Sequence, residues 1–396
     1  MAAISSRFNP LRKLRVTSPP RNDPAIGFPE DHQFNRRLQE GSEGYVEQWT
    51  HTASKTIIAV KVVRHNHPYP NEVRILQHLP SHKSIVGYLG YCKRQPYAEK
   101  TSILLEYCSE GDLFTVRALA ADKGRMVFSK AFMWSVYSQL MNAIAFLHEG
   151  IDDQHRRGRD EWRPIVHRDV KFENVLVKNL GFKDDWSDIE VKLGDFGMAG
   201  YYDPKNPNPR GHIGTTHYWP PEVTWENKRL GPASDVWSAA TIIHELAHNF
   251  GPLVDPKVIE KKWFLQNDKA PYLDSWPDNL KKNYWSSKAP RRPIPINIEP
   301  GAPIPILADE DLGYDKQALA FRQCRPSPKY SDALSDCMMA GLAMSPGERP
   351  ESGQLLREIE TAHAEVLFQD LCLAHKRETI NAEDEDIRED VTESDH

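Results

Sequence analysis

The spacing of apolar residues along this 396-residue chain changes character once, near residue 108. Before that point they come in short β-branched runs, Thr56-Ile57-Ile58-Ala59-Val60-Lys61-Val62-Val63 and Ser102-Ile103-Leu104-Leu105, interrupted by one helical stretch over Glu72 to Leu79. After it, Ser129 is a good N-cap for a helix in which Phe132, Met133, Val136, Tyr137, Leu140, Ile144 and Leu147 recur at steps of three and four. Further helices are predicted over Ser234 to Leu246, Leu334 to Met344 and Ser352 to His375. Sheet-forming and helix-forming segments are segregated rather than alternating, so the expected class is α+β: a small β-rich lobe with one helix, then a larger, mainly helical lobe.

Composition removes several classes of function. No run of 18 apolar residues occurs and no apolar block follows Met1, so neither a membrane span nor a secretory signal is expected. Five cysteines with no CxxC pair form neither a disulfide framework nor a zinc site and fit a reducing compartment, cytoplasmic or nuclear. The net charge of −6 is concentrated: residues 378 to 396 carry nine acids and one Arg, leaving a body near +2, which argues against a nucleic-acid-binding face. Residues 1–32 read as a disordered basic arm, with Arg7, Arg12, Lys13, Arg15 and Arg21 and no acid before Asp23; a mitochondrial transit peptide shares that composition. Residues 376–396 read as a disordered acidic tail. Eight prolines between 271 and 305 predict an extended surface stretch there.

The chemistry is concentrated in His167-Arg168-Asp169-Val170-Lys171-Phe172-Glu173-Asn174, which places a carboxylate, an ammonium and an amide on one loop. Phosphoryl transfer needs such groups: a carboxylate to take the proton of an attacking hydroxyl, a cation near the transferred phosphate and an oxygen ligand for Mg²⁺. The segment resembles the catalytic loop of protein kinases, and other motifs of that family follow in order. Asp195-Phe196-Gly197 resembles the metal motif, Ala59-Val60-Lys61 the strand lysine, and Glu72 the helix glutamate that pairs with it. Gly214-Thr215-Thr216-His217-Tyr218-Trp219-Pro220-Pro221-Glu222 resembles the end of an activation segment, and Asp235-Val236-Trp237 and Gly347-Glu348-Arg349-Pro350 have family counterparts. The resemblance covers about Phe34 to Leu373 and implies the bilobal kinase fold, with an antiparallel sheet in the small lobe: a kinase domain over 33–375, divided into 33–107 and 108–375, with a Pro-rich insertion at about 268–313.

From that resemblance Asp169 and Lys171 are the expected catalytic pair, with Asn174 and Asp195 as ligands of Mg²⁺. ATP is expected to meet Leu38, Gly41, Gly44, Val46, Ala59, Lys61, Glu106, Cys108, Asp112 and Leu176, with Leu105 as gatekeeper. Structural or regulatory roles fall to Glu72, Arg168, Phe196, Gly197, Thr215, Glu222, Asp235 and Arg349, with Glu222 paired to Arg349. Lys171 and Thr215 match the Ser/Thr branch of the family, so protein Ser/Thr hydroxyls are the implied acceptors.

Three departures stand out. Gln39 replaces the first glycine of the phosphate-covering loop, which implies weakened ATP binding. No Ser or Thr lies between Gly197 and Gly214, so activation independent of a Ser/Thr phosphate on that loop is expected. Lys61 and Glu72 are only 11 apart, with Pro68 and Pro70 between them, which implies a helix biased toward one position. Residues 149–166, with Arg156, Arg157, Arg159 and Arg163, and the Pro-rich insertion are candidate docking sites for partners. A scaffold without transferase activity and a small-molecule kinase of related fold are the alternatives. Lys61, Glu72, Asp169, Asn174 and Asp195 together oppose the first, and the Gly214–Glu222 segment opposes the second.

Overall fold

In the computed structural model, residues 28–41, 44–63, 69–123, 127–155, 161–211, 214–299, 328–369 and 372 are described. The basic arm through residue 27, the acidic tail, Pro68, Arg156, Arg157, Arg159, Pro303, Pro305 and the end of the last expected helix lie outside them. The chain divides into two compact units, one built from residues up to 73 together with 88–107, the other from 74–87 together with everything after 107.

The first unit is one antiparallel sheet of strands β1 (His32–Glu40), β2 (Gly44–His51), β3 (Ile57–Val63), β4 (Tyr88–Lys93) and β5 (Thr101–Glu106), in spatial order β1-β2-β3-β5-β4. Because side chains alternate across a strand, Ile58, Val60 and Val62 share one face and pack with Phe28, Tyr45, Trp49, Cys92 and Leu104 into an apolar core. The opposite face carries Ala59 and Lys61, and register sets Val46 and Ile103 opposite Lys61 and Leu105 opposite Ala59. Helix α1 (Asn71–Leu76) is shorter than the sequence predicts. His78 and Leu79 instead make three-residue turns back to Ile75 and Leu76, consistent with Pro80 disfavouring helical geometry in the residue before it.

Residues 74–87 join the second unit through backbone bonds of Ser84 and Val86 to Leu193 and through His82 stacked on Phe146 at 4.2 Å. Its centre is α3 (Lys130–Glu149), capped by Ser129 Oγ accepting from Phe132 N, and all seven predicted apolar positions of this helix are buried. Each fully buried side chain of that size contributes about 1.5–3 kcal/mol, so this face is a principal source of the unit's stability. Against α3 pack α4 (Pro232–His248), with Pro232 at its first position, and the hairpin β7 (Val175–Asn179) and β8 (Glu190–Leu193). Strands β6 (Ile165–Val166) and β9 (Gly200–Tyr201) pair as a short ribbon, and α2 (Leu113–Asp122) borders the β7 side. Helix α7 (Asp332–Gly341) ends three residues before the expected Met344, and α8 runs over 352–369.

The proline-rich stretch corrects the sequence expectation. It follows α5 (Pro256–Gln266) and contains a second helix, α6 (Asp278–Lys288), with Pro277 just before it and Pro290 just after. Prolines placed outside a helix delimit it without breaking it, so counting them over the whole stretch misread the local conformation. Nor does the segment simply run over the surface: Arg291, Ile294 and Ile296 are buried. No helix among the described residues is long and apolar enough to cross a membrane.

Candidate active site

On the face of the first unit's sheet that carries Ala59, Lys61 Nζ meets Glu72 Oε2 at 2.7 Å, with their side chains 13% and 3% exposed. Burial of both charges makes the pair interdependent, because removing either takes away the other's ion-pair partner in a poorly solvated setting. Val46, Ala59 and Leu105 share the lysine's face by register, Glu106 closes β5, and Leu38 is an exposed residue of β1. Between β1 and β2, Gly41 N bonds to Gly44 O at 2.8 Å. A Cβ on Gly44 would collide with the Val62 carbonyl, so close strand approach alone requires glycine there, whereas Gly41 has open space around it.

In the second unit, β6 leads into a loop that ends in a 3-10 turn over Phe172–Asn174, and β7 follows at once. Asp169 is the hub of this loop. Its Oδ1 accepts from Thr215 Oγ1 at 2.9 Å, and its Oδ2 accepts from Asn174 Nδ2 at 3.0 Å and lies 2.8 Å from Lys171 Nζ. Lys171 also donates to Thr215 Oγ1 at 3.1 Å. Burial would lower the Lys171 pKa, but the Asp169 carboxylate, aided by Glu173 and Asp195, raises it above the ordinary lysine value, so Lys171 is a fixed cation. Pairing of Val175 with Leu193 brings the hairpin ends together: Gly194 N bonds to Asn174 O, and Asp195 follows with a left-handed φ of 56°. Phe196 is fully buried, its ring edge-on to His167 at 4.9 Å, while Gly197 N donates to Asp195 Oδ1 at 3.3 Å.

The donor set fits a hard divalent cation. Asn174 Nδ2 bonds twice to Asp169, to its main-chain oxygen and to Oδ2, which leaves Oδ1 as the amide's remaining ligand atom, and Asp195 supplies a carboxylate. No group of three or more His, Cys, Asp or Glu side chains among the described residues forms an all-protein metal cage. A pair of oxygens completed by phosphate suits Mg²⁺, which is usually held by one or two carboxylates plus substrate phosphates.

Several side chains hold this loop from beneath. Buried Asp235 accepts from the backbone N–H of His167 at 2.7 Å and of Arg168 at 2.9 Å, and meets His148 Nε2 at 3.0 Å. Burial would raise its pKa, but the bond and charge of His148, together with His167, hold it below the usual carboxylate value. Glu222 and Arg349 form a two-pronged pair at 2.7 and 2.6 Å, as the sequence predicts. Arg168 donates to two main-chain carbonyls, Met198 O at 3.3 Å and Pro207 O at 2.8 Å. A Cβ on Gly200 would sit 2.5 Å from the Arg168 guanidinium, so glycine there makes room for the contact.

Of the remaining residues matched to the nucleotide, Asp112 caps α2, its Oδ1 accepting from both the N–H and the hydroxyl of Thr115 at 2.7 Å. Asp112 is bridged through its backbone to Leu176, and Cys108 is buried. Along the connector 149–166, Trp162 donates to Leu147 O and Arg163 lies over the Tyr201 ring at 4.3 Å, so its described parts pack against the unit.

The sequence gives no sign of two features beside Thr215. His217 meets Glu245 at 3.2 Å, and Arg117 meets the same carboxylate at 2.9 Å; these partners lie on three separate elements. Arg291 is buried and donates only to main-chain carbonyls, among them Thr216 O and Trp219 O. No family motif includes it, and the first Arg of a Pro290-Arg291-Arg292-Pro293 run carries no signal of burial.

Comparison with known proteins agrees with this geometry. The chain is 28% identical over 241 residues to Serine/threonine-protein kinase Nek1 of Toxoplasma gondii, covering 58% of this chain and 14% of that protein. It is 27% identical over 287 residues to Serine/threonine-protein kinase 1 of Arabidopsis thaliana, covering 69% and 29%. It is 25% identical over 333 residues to CBL-interacting protein kinase 9 of Oryza sativa subsp. japonica, covering 81% and 65%. The matched stretches thus span less than two thirds of these relatives' own lengths. Residues 32–358 match the model of the protein kinase domain, and the chain belongs to that family.

Proposed function

We propose that this chain transfers the γ-phosphoryl group of ATP to Ser or Thr hydroxyls of protein substrates, in a reaction that requires Mg²⁺. The observation that carries the reading is the convergence of Lys171, Asn174 and Thr215 on Asp169, each within hydrogen-bond reach of its carboxylate. Asp169 orients the acceptor hydroxyl and takes its proton as the new O–P bond forms and the bond from phosphorus to the β-phosphate's bridging oxygen breaks. Lys171, kept cationic by its neighbours, offsets charge on the transferred group. Asn174 and Asp195 hold Mg²⁺, which when bound neutralises phosphate charge. Lys61, oriented by Glu72, binds the α- and β-phosphates. Val46, Ala59 and Leu105, on the lysine's face by register, supply apolar contact for the base, and main-chain groups of Glu106 bond its edge. The Lys171–Thr215 bond supports the Ser/Thr acceptor class.

The test is ATP- and Mg²⁺-dependent labelling of a generic basic protein by phosphatase-treated wild type beside Asp169→Asn, with identification of the phosphorylated residue. Label on Ser and Thr in wild type alone is the expected result. Label confined to Tyr, to a small-molecule acceptor, or equal in both proteins overturns the proposal, and no label with intact nucleotide binding makes the chain a scaffold.

A further inference from the structure

The segment Thr216–Trp219 follows directly on Thr215, whose hydroxyl bonds to Asp169, so any shift of this segment moves a group in contact with the proton acceptor. Two of its main-chain carbonyls, those of Thr216 and Trp219, meet one side chain, while Tyr218 O accepts from Ser238 Oγ at 3.0 Å. Arg291 Nη2 donates to Thr216 O at 2.9 Å and Nε to Trp219 O at 2.6 Å, while Nη1 donates to Ser286 O at 2.9 Å and Ala289 O at 2.7 Å. The guanidinium is therefore buried with four carbonyl acceptors and, among the described residues, no carboxylate bonded to it. Burial lowers its pKa to about 10 against the attraction of Glu222, still far enough above neutrality to keep it charged.

The position of Arg291 in the chain gives these bonds their consequence. Leu253 and Arg291 pair as a backbone bridge, Val254 N bonds to Pro290 O at 3.0 Å and Arg292 N to Pro252 O at 2.7 Å. The α5–α6 segment thus begins and ends at one clasp, with Arg291 in it. Helix α6 packs beside the 3-10 turn Thr216–Tyr218, where Thr216 Oγ1 lies 3.3 Å from Asn283 Oδ1. A planar fork of donors matches several carbonyls at once, which a lysine ammonium on a flexible stem does not.

We propose that Arg291 is a positioning residue for peptide phosphorylation: it fixes the Thr216–Trp219 segment, and with it Thr215, by tying that segment's carbonyls to the end of α6. The inference deepens the kinase reading above and rests on it for its kinetic part. It goes beyond the family motifs, because the task falls to a side chain outside them, in a proline-rich excursion.

The experiment compares wild type, Arg291→Lys and Asn283→Ala by steady-state kinetics with a peptide substrate and by amide hydrogen exchange over residues 214–223. Arg291→Lys is expected to lower kcat/KM for peptide by about tenfold or more, leave the KM for ATP within about twofold, and speed exchange of the Tyr218 and Trp219 amides by a similar factor. Asn283→Ala removes a different α6 contact to the same segment, Thr216 Oγ1 to Asn283 Oδ1 at 3.3 Å, and should move both readouts in the same direction by less. If Arg291→Lys does not fold, Asn283→Ala tests whether tethering to α6 positions the segment. Unchanged peptide kinetics and exchange in folded variants would overturn the proposal, as would equal loss of ATP and peptide affinity. Exchange needs no turnover, so wild type inactive toward peptide would sink the kinase reading while exchange still tests the clasp.

Discussion

Thr215 Oγ1 donates to Asp169 Oδ1 at 2.9 Å and accepts from Lys171 Nζ at 3.1 Å. One hydroxyl therefore holds the expected proton acceptor and its cation in register. Thr215→Ser keeps the oxygen and should retain activity within a few fold. Thr215→Val keeps the shape but loses both bonds, and should lower kcat about 10- to 100-fold with nucleotide affinity unchanged, since a charge-assisted bond is worth about 1.5–3 kcal/mol. Steady-state kinetics with a peptide acceptor would reject this if Val and Ser behaved alike.

Glu72→Ala removes the ion-pair partner of Lys61 in a mostly buried setting. Loss of one partner of such a pair destabilises by about 3–5 kcal/mol, an upper range here because Lys61 keeps 13% exposure. Urea unfolding should show a lower midpoint at constant m, and titration with a fluorescent nucleotide should show weaker binding. An unchanged midpoint would mean that the lysine finds another partner.

Arg168 should make activity independent of any phosphate on the activation segment, because Met198 O and Pro207 O already accept its guanidinium bonds. Exhaustive phosphatase treatment is expected to leave the rate unchanged, while Gly200→Val, which intrudes on Arg168, should lower it. Loss of activity on dephosphorylation, mapped to that segment, would contradict the assignment.

His82 makes stability depend on pH. Burial, then the charge of Lys83, lower its pKa from 6.5 to about 4, and Ser84 N donates to Nδ1, which only an unprotonated nitrogen accepts. A depressed folded-state pKa means that the unfolded chain binds a proton more readily. The contribution is present above pH 6.5 and is lost as pH falls from about 6.5 through about 4, up to about 3 kcal/mol in all. His82→Phe should flatten the thermal-stability profile over that window, and a profile parallel to wild type would show that His82 does not titrate there.

Much of the site is legible in the chain because its chemistry is local. Asp169, Lys171 and Asn174 fall within six residues of one loop, and the spacing of Phe132 to Leu147 gives the buried face of α3. The Lys61–Glu72 and Glu222–Arg349 pairs were readable from motif order, since opposite charges at family positions name their own partners. The α6 helix was not, because proline content averages over a segment while proline's effect depends on its place relative to a helix start.

The sequence by itself determined the α+β class, the order of the motifs and the identity of the chemical groups, all of which depend on residue type and short-range spacing. The tertiary structure alone decided what Arg168 and Arg291 do. Arg291 finds Thr216 O and Trp219 O 75 and 72 positions away, and Arg168 finds Pro207 O 39 positions away. Backbone carbonyls occur at every residue and carry no signature of type. Only the folded path of the chain selects which of them a buried guanidinium meets.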